Sequence, residues 1–157
     1  MIADKGIAGI SGLHGVGPSL MTAVLDTNIA LDCLVFDDLA VRPLSAAIQA
    51  GRLRWIGSSA MVQELNSVLS RPGFDRWRAK FGSVPALVQR HCALELAPTT
   101  APVPALHCSD NDDQKFIDFA VAQQASWLFT RDKALLRLAR RARRYGVAIL
   151  RPADWRG

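Results

Sequence analysis

The sequence predicts an α/β domain built on a mostly parallel sheet, and three observations carry that prediction. Short apolar runs alternate with segments of helical period along the chain, the pattern of βαβ units rather than of hairpins. The first of these runs, Ala23-Val24-Leu25, is continuous rather than alternating, which is how a strand covered on both faces reads. The length of 157 residues, half of them apolar, suits one domain with a sizeable core and is too short for two ordinary ones.

Taken in order, the first strand ends at Leu25 and is followed by Asp26-Thr27-Asn28, where Thr27 and Asn28 can cap a short helix over Ile29 to Leu34. A longer helix is predicted from Leu39 to Ala50, with Gly51 at the residue just past its end. Leu53 to Gly57 reads as the second strand. Ser58 and Ser59 then cap a helix through Leu69, stopped by Arg71-Pro72-Gly73. Phe74 to Phe81 and a short segment ending at His91 are helical, separated by Gly82 and Pro85, and Cys92 to Leu96 is the third strand. Pro98, Pro102 and Pro104 mark a stiff loop rather than a domain linker. Asn111 to Gln124 reads as a helix, Ser126 to Thr130 as the fourth strand, Lys133 to Tyr145 as a helix ended by Gly146, and Val147 to Leu150 as the fifth strand. The folded domain is expected to span residues 21–157, with residues 1–20, rich in Gly and small residues, as a flexible extension that makes a poor signal peptide.

Composition narrows the function classes. No apolar run approaches the roughly 20 residues of a membrane helix, so no membrane partner is expected. Cys33, Cys92 and Cys108 are odd in number and unpaired in spacing, as reduced thiols of a cytoplasmic protein would be. The scattered His14, His91 and His107 give no zinc pattern. The net charge of +5 is unevenly placed: residues 131–157 hold nine Lys/Arg against two acids. A polyanionic partner fits that end of the chain.

Four acids stand where strands leave the sheet or on the helices that follow. Asp26 directly ends the first strand, and Asp132 repeats that position after the fourth. Glu64 borders the apolar stripe Met61, Val62, Leu65, Val68 and Leu69 of its helix, and Asp113 extends the buried stripe Phe116, Ile117 and Ala120. Singly, each has an ordinary structural role as a cap or a solvated acid. Asp110 and Asp112 can already cap the helix whose first turn holds Asp113, however, and an acid turned toward the core needs a counter-ion. In open α/β sheets the carboxyl ends of the strands are where ligands bind. Four acids gathered there would form a negative pocket that is costly unless it holds a cation. Oxygen donors without His or Cys suit Mg²⁺ or Mn²⁺, which can activate water against a phosphodiester.

The segment from Lys133 to Tyr145 adds a basic face. Leu135, Leu138, Ala139 and Ala142 form its apolar side, and Lys133, Arg137, Arg140, Arg141 and Arg144 lie opposite. Such a stripe is either a solvated surface or a grip for RNA phosphates or for an acidic protein segment.

The ordered set Val24-Leu25-Asp26-Thr27-Asn28, Ser58 with Glu64-Leu65, Asp110 with Asp113, Phe116 and Ala120, and Trp127-Leu128-Phe129-Thr130-Arg131-Asp132 followed by Leu135-Leu136 resembles the PIN-domain ribonucleases, close to the VapC-like toxin branch of bacterial toxin–antitoxin systems. The resemblance covers about Met21 to Pro152. It implies a three-layer α/β/α fold with a five-stranded sheet in the order 3-2-1-4-5, and metal-dependent cleavage of RNA. It implies Asp26, Glu64, Asp113 and Asp132 as the catalytic and Mg²⁺- or Mn²⁺-binding acids, with Asn28 and Thr130 supporting them. It further implies a cognate antitoxin and a homodimer as protein partners. A non-catalytic RNA-binding or regulatory module on the same fold is the competing class, and the presence of all four acids counts against it. A phosphatase with an aspartyl nucleophile would want a second Asp where Asn28 stands, and a receiver would want a Lys near the end of a late strand, which the fifth strand lacks.

Overall fold

The computed structural model describes residues 20–82, 84–95 and 102–157. The expected extension therefore lies outside the described residues except for Leu20, as do residues 98–101 of the proline-rich loop. Five parallel strands, β1 (Met21–Leu25), β2 (Leu53–Gly57), β3 (Cys92–Leu94), β4 (Trp127–Phe129) and β5 (Ala148–Leu150), form one sheet in the order β3-β2-β1-β4-β5. Between them run α1 (Thr27–Leu31), α2 (Arg42–Gln49), α3 (Ser59–Leu69), α4 (Asp75–Phe81), α5 (Val84–His91), α6 (Gln114–Ala122), α7 (Lys133–Leu136) and α8 (Ala139–Ala142).

The period of two along the strands divides the core into two apolar layers. Ala23, Leu25, Leu53, Trp55 and Phe129 face one side, where Ile29 of α1, Leu44 of α2, Leu65 and Leu69 of α3 and Val88 of α5 cover them. Val24, Ile56, Leu128 and Ile149 face the other, under Phe116, Ile117 and Ala120 of α6, Leu135 of α7 and Ala142 of α8. Both faces are thus buried, which explains the unbroken apolar runs, and each fully buried Val, Leu or Ile contributes roughly 1.5–3 kcal/mol. Trp155, beyond β5, packs edge-on against Trp127 and Phe129 with ring centroids 5.9 and 5.7 Å apart, anchoring the tail. Among the described residues no helix is long and apolar enough to cross a membrane. Cys33, Cys92 and Cys108 are free thiols; burial raises Cys33 to about 11 and Cys92 to about 12, so both stay protonated.

Several element boundaries differ from the sequence reading, two of them with a local cause. The helix expected from Leu39 starts at Arg42, because Pro43 lacks the N–H that a helix from Leu39 would need there and is tolerated only in the first turn. Val41 N–H bonds to the Asp38 carbonyl instead, leaving Leu39 73% exposed. The helix expected from Asn111 starts at Gln114: the Asp110 carboxylate accepts the Asp112 N–H at 2.9 Å and holds 111–113 as a turn. The single helix expected over Lys133 to Tyr145 is three pieces, α7, α8 and a 3₁₀ turn over Arg143–Tyr145. At the first break Leu138 N–H bonds to the Leu135 carbonyl three residues back. That tighter turn brings residues three apart onto one line, so Leu135 and Leu138 both reach the core. Beyond α1 the chain widens into a π turn over Asp32–Phe36, closed by Asp37 in the left-handed region at φ 47°. Arg131 pairs with Asp32 and, at 3.5 Å, with Asp38, tying this turn to the exit of β4.

Candidate active site

Because every strand is parallel, all carboxyl ends lie on one sheet edge, and the order places β1 beside β4. Asp26 N–H bonds to the Phe129 carbonyl at 3.1 Å, extending the ladder one residue past the end of β1. Asp26 and Thr130 therefore emerge side by side. Asp26 is 4% exposed and caps α1: Oδ1 accepts the Ile29 N–H at 2.9 Å, and Oδ2 accepts the Thr130 hydroxyl. Burial pushes its carboxyl above the ordinary range, and Asp132 adds to the shift. Thr130 and the Ile29 and Asn28 amides oppose it.

Thr130 is fully buried and serves two acids at once. Its hydroxyl oxygen donates to Asp26 and accepts the Asp132 N–H at 2.9 Å. Asp132 caps α7, its Oδ1 accepting the Ala134 and Leu135 amides at 2.6 and 3.2 Å. Of the support pair expected from sequence, Thr130 touches the acids with its side chain. The Asn28 side chain is exposed, and Asn28 reaches the site through its backbone N–H on Asp26.

Asp113 behaves differently from the other acids that precede helices. It occupies the N-cap position of α6, yet its carboxylate accepts no amide. It is half-buried, and its carboxyl is raised to about 6, first by burial and then by Asp132, Asp110 and Asp26; Lys115 pulls the other way. Asp110 and Asp112 are exposed, and Asp110 spends Oδ1 on the turn. Asp113 is thus the member of this acidic run set toward the other acids, without the local bond that would justify it as a cap.

Glu64, half-buried on α3, is tied to the β1 exit and to α6. Its Oε1 accepts the Thr27 hydroxyl at 2.5 Å, and its Oε2 pairs with the Lys115 ammonium. Lys115 also donates to the Asp112 carbonyl at 2.6 Å and lies 5.0 Å from the Phe116 ring centroid. Thr27, expected only as a helix cap, and Lys115 are not assigned to the site by the sequence. An inward-turned Asp113 needs a counter-ion, and the nearest cation along the chain, Lys115, supplies part of that charge. Replacing it by Gln is expected to raise the Asp113 titration further, since Lys115 opposes the shift, with little loss of fold because the pair is one-third exposed on both sides. Carboxyl-resolved NMR titration checks this, and an unmoved or lowered Asp113 would contradict it.

Asp118 of α6 is half-buried. It accepts Gln114 Nε2 at 2.8 Å, while Gln114 grips the Cys108 N–H at 2.6 Å and the Leu106 carbonyl at 3.2 Å. Asp118→Asn keeps an acceptor and should leave stability within about 0.5 kcal/mol, whereas Asp118→Ala frees Gln114 and should cost about 1 kcal/mol. Denaturant melts of the two variants make the comparison.

Among the described residues no three acidic, imidazole or thiol side chains are drawn together as the ligands of one ion would be. The donor chemistry nevertheless fits a hard divalent cation. The group is all oxygen; burial raises both Asp26 and Asp113, and neighbouring carboxylates add to each shift, negative charge that a cation relieves.

A sequence model of a protein family described as PIN domain matches residues 22–134, a span that holds all four acids. No curated protein matches the sequence. Among solved structures, VapBC2 from Rickettsia felis, bound to a DNA fragment from their promoter, aligns with a TM-score of 0.60 at 15% identity, covering 83% of this chain and 98% of the other. FitAB bound to an IR36 DNA fragment aligns at 0.52 and 16%, covering 86% and 98%. At such identities the likeness is one of fold.

Proposed function

Given that the chain belongs to the PIN-domain family, we propose that it is a metal-dependent endoribonuclease and the toxin of a toxin–antitoxin pair. The observation that carries the reading is Asp113: a half-buried carboxylate at a helix start, bonded to no cap amide and raised to about 6 by burial and three other aspartates. A fold keeps such a group against its own electrostatic cost where the charge is used.

Asp26, Asp113, Asp132 and Glu64 are the residues that would hold Mg²⁺ or Mn²⁺, which when bound supplies charge neutralisation at the phosphodiester and an activated water. The chain's own side chains do the positioning. Thr130 fixes Asp26 and, through the Asp132 N–H, the entry to α7, so two carboxylates are oriented by one buried hydroxyl. Thr27, next to Asp26, and Lys115, two residues past Asp113, hold Glu64 between them. The Lys115 pair also favours the second reading, a non-catalytic RNA-binding module, because it already neutralises one acid. Incubating a mixed RNA pool with the protein, in chelator and then with Mg²⁺ or Mn²⁺, decides between them: cleavage fragments that appear only with metal support the nuclease, and binding without cleavage supports the module.

The toxin assignment rests on the motif resemblance and on the fold shared with VapBC2 and FitAB. A protein partner, an antitoxin or a second copy, is supported by the surface as well. Phe36, 58% exposed, lies in the chain between Val35 and Asp37, which line a cleft of about 410 Å³ together with Leu34 and Ile48, and exposed apolar surface of this kind marks interaction sites.

A further inference from the structure

The basic stripe expected as one face is divided by the fold, and one part of it joins a residue from another element. Lys133, Leu136 and Arg137 of the α7 segment meet Arg151, the residue after β5, around an open notch of about 330 Å³. All three cations are exposed, and none of their side chains makes an ion pair or hydrogen bond among the described residues. Arg140 and Arg144 lie beyond the break after α7 and do not line the notch, and Arg141 donates to the Ala105 carbonyl at 3.1 Å.

The notch sits on the same sheet edge as the acids. Thr130 N–H bonds to the Leu150 carbonyl at 3.1 Å, so Arg151 leaves the sheet beside Thr130 and Asp132, one strand further out than Asp26's neighbour β4. With strands about 4.8 Å apart, Arg151 stands roughly 10 Å across the edge from Asp26. That is the reach of one or two nucleotides of an extended strand. Among the described residues no aromatic ring lines the notch; its apolar member is Leu136. Base stacking, the usual source of base contact in single-strand binders, is therefore missing, while three unpartnered cations suit phosphate.

We propose that Lys133, Arg137 and Arg151 form a phosphate-binding subsite that holds the RNA backbone one or two nucleotides from the cleaved bond, independently of base sequence. This rests on the ribonuclease reading and specifies where the substrate strand leaves the acids. Arg140, Arg141 and Arg144 are not part of it.

The test uses fluorescence anisotropy with a labelled single-stranded oligoribonucleotide, in the Asp113→Asn background so that the probe is not cut. Lys133→Gln/Arg137→Gln/Arg151→Gln is compared with Arg140→Gln/Arg143→Gln/Arg144→Gln, which removes the same charge outside the notch. Each lost phosphate contact should lower the slope of log K against log salt by about 0.7 and weaken binding about fivefold at 0.1 M salt, so the notch triple should lose on the order of 100-fold. The control triple should keep nearly the full slope, and a second oligonucleotide of different sequence should report the same losses. Equal losses in both triples would overturn the subsite in favour of overall charge. Unchanged RNA binding by the notch triple would also overturn it and would give the notch to an acidic protein segment. Wild type is assayed for cleavage in parallel: cleavage with an unaffected notch triple rejects the subsite alone, whereas a wild type that neither binds nor cuts RNA with metal rejects the ribonuclease reading beneath it.

Discussion

Asp26→Asn and Asp113→Asn are each expected to reduce RNA cleavage about 1000-fold or more, a loss of roughly 4 kcal/mol in transition-state stabilisation. Neither change should unfold the protein. In Asp26→Asn the amide oxygen can still accept the Ile29 N–H, and the altered bond to Thr130 costs about 1 kcal/mol. In Asp113→Asn no cap bond is lost, because the carboxylate makes none. Glu64→Gln belongs to the same group, with the added loss of the Lys115 ion pair. Initial rates on a labelled RNA, alongside circular dichroism of each variant, provide the measurement. A folded Asp113→Asn with wild-type rate would remove Asp113 from the chemistry and with it the main support for the site.

The second large effect is on stability, and it changes sign with metal. The Asp113 carboxyl is raised from 3.8 to about 6 by burial and by Asp132, Asp110 and Asp26, against the opposing pull of Lys115. A carboxyl raised by folding favours the native state fully below its unfolded value, and that contribution is lost as pH rises through the folded value. Between about pH 4 and pH 6 the metal-free protein should therefore lose stability at this group. At a half-buried position solvent screening limits the penalty to about 1 kcal/mol. Metal-free Asp113→Asn carries no such charge and should melt about 2–4 °C above wild type at pH 7, with the difference closing near pH 4. Adding Mn²⁺ at 100 times its dissociation constant stabilises wild type by about 2.7 kcal/mol and should reverse the order. Thermal melts at three pH values, in chelator and then in metal, follow both signs. If the variant melts below wild type in chelator, Asp113 is holding the structure rather than being held by it.

Much of the fold is legible in residue pattern because the pattern is local. The boundaries of β2 coincide with the apolar run Leu53 to Gly57, and Gly51 and Gly146 end their helical segments with positive φ, as their positions indicated. The misplaced helix starts are also local in origin. Pro43 and the Asp110 turn each override a hydrophobic period that runs on past them. The break inside 133–145 is not local. No Gly or Pro stands there, and only the demand that Leu135 and Leu138 reach the same core tightens the turn.

Asp26, Asp132 and the stripe containing Asp113 can be read from the chain alone, because a strand's end and a helix's period are short-range signals. The sequence by itself determined the fold class, the family through its ordered acids, and the three acids that open helical segments. What only the tertiary structure decided is which groups meet. Thr27, from the β1 exit, and Lys115, from α6, converge on Glu64 of α3. Thr130 rather than the Asn28 side chain bridges two acids. Arg151 crosses from β5 to join Lys133 and Arg137. Each of these contacts joins residues from different elements, and their distance is set by the order β3-β2-β1-β4-β5, which makes neighbours of strands far apart in the chain, a relation that no local spacing encodes.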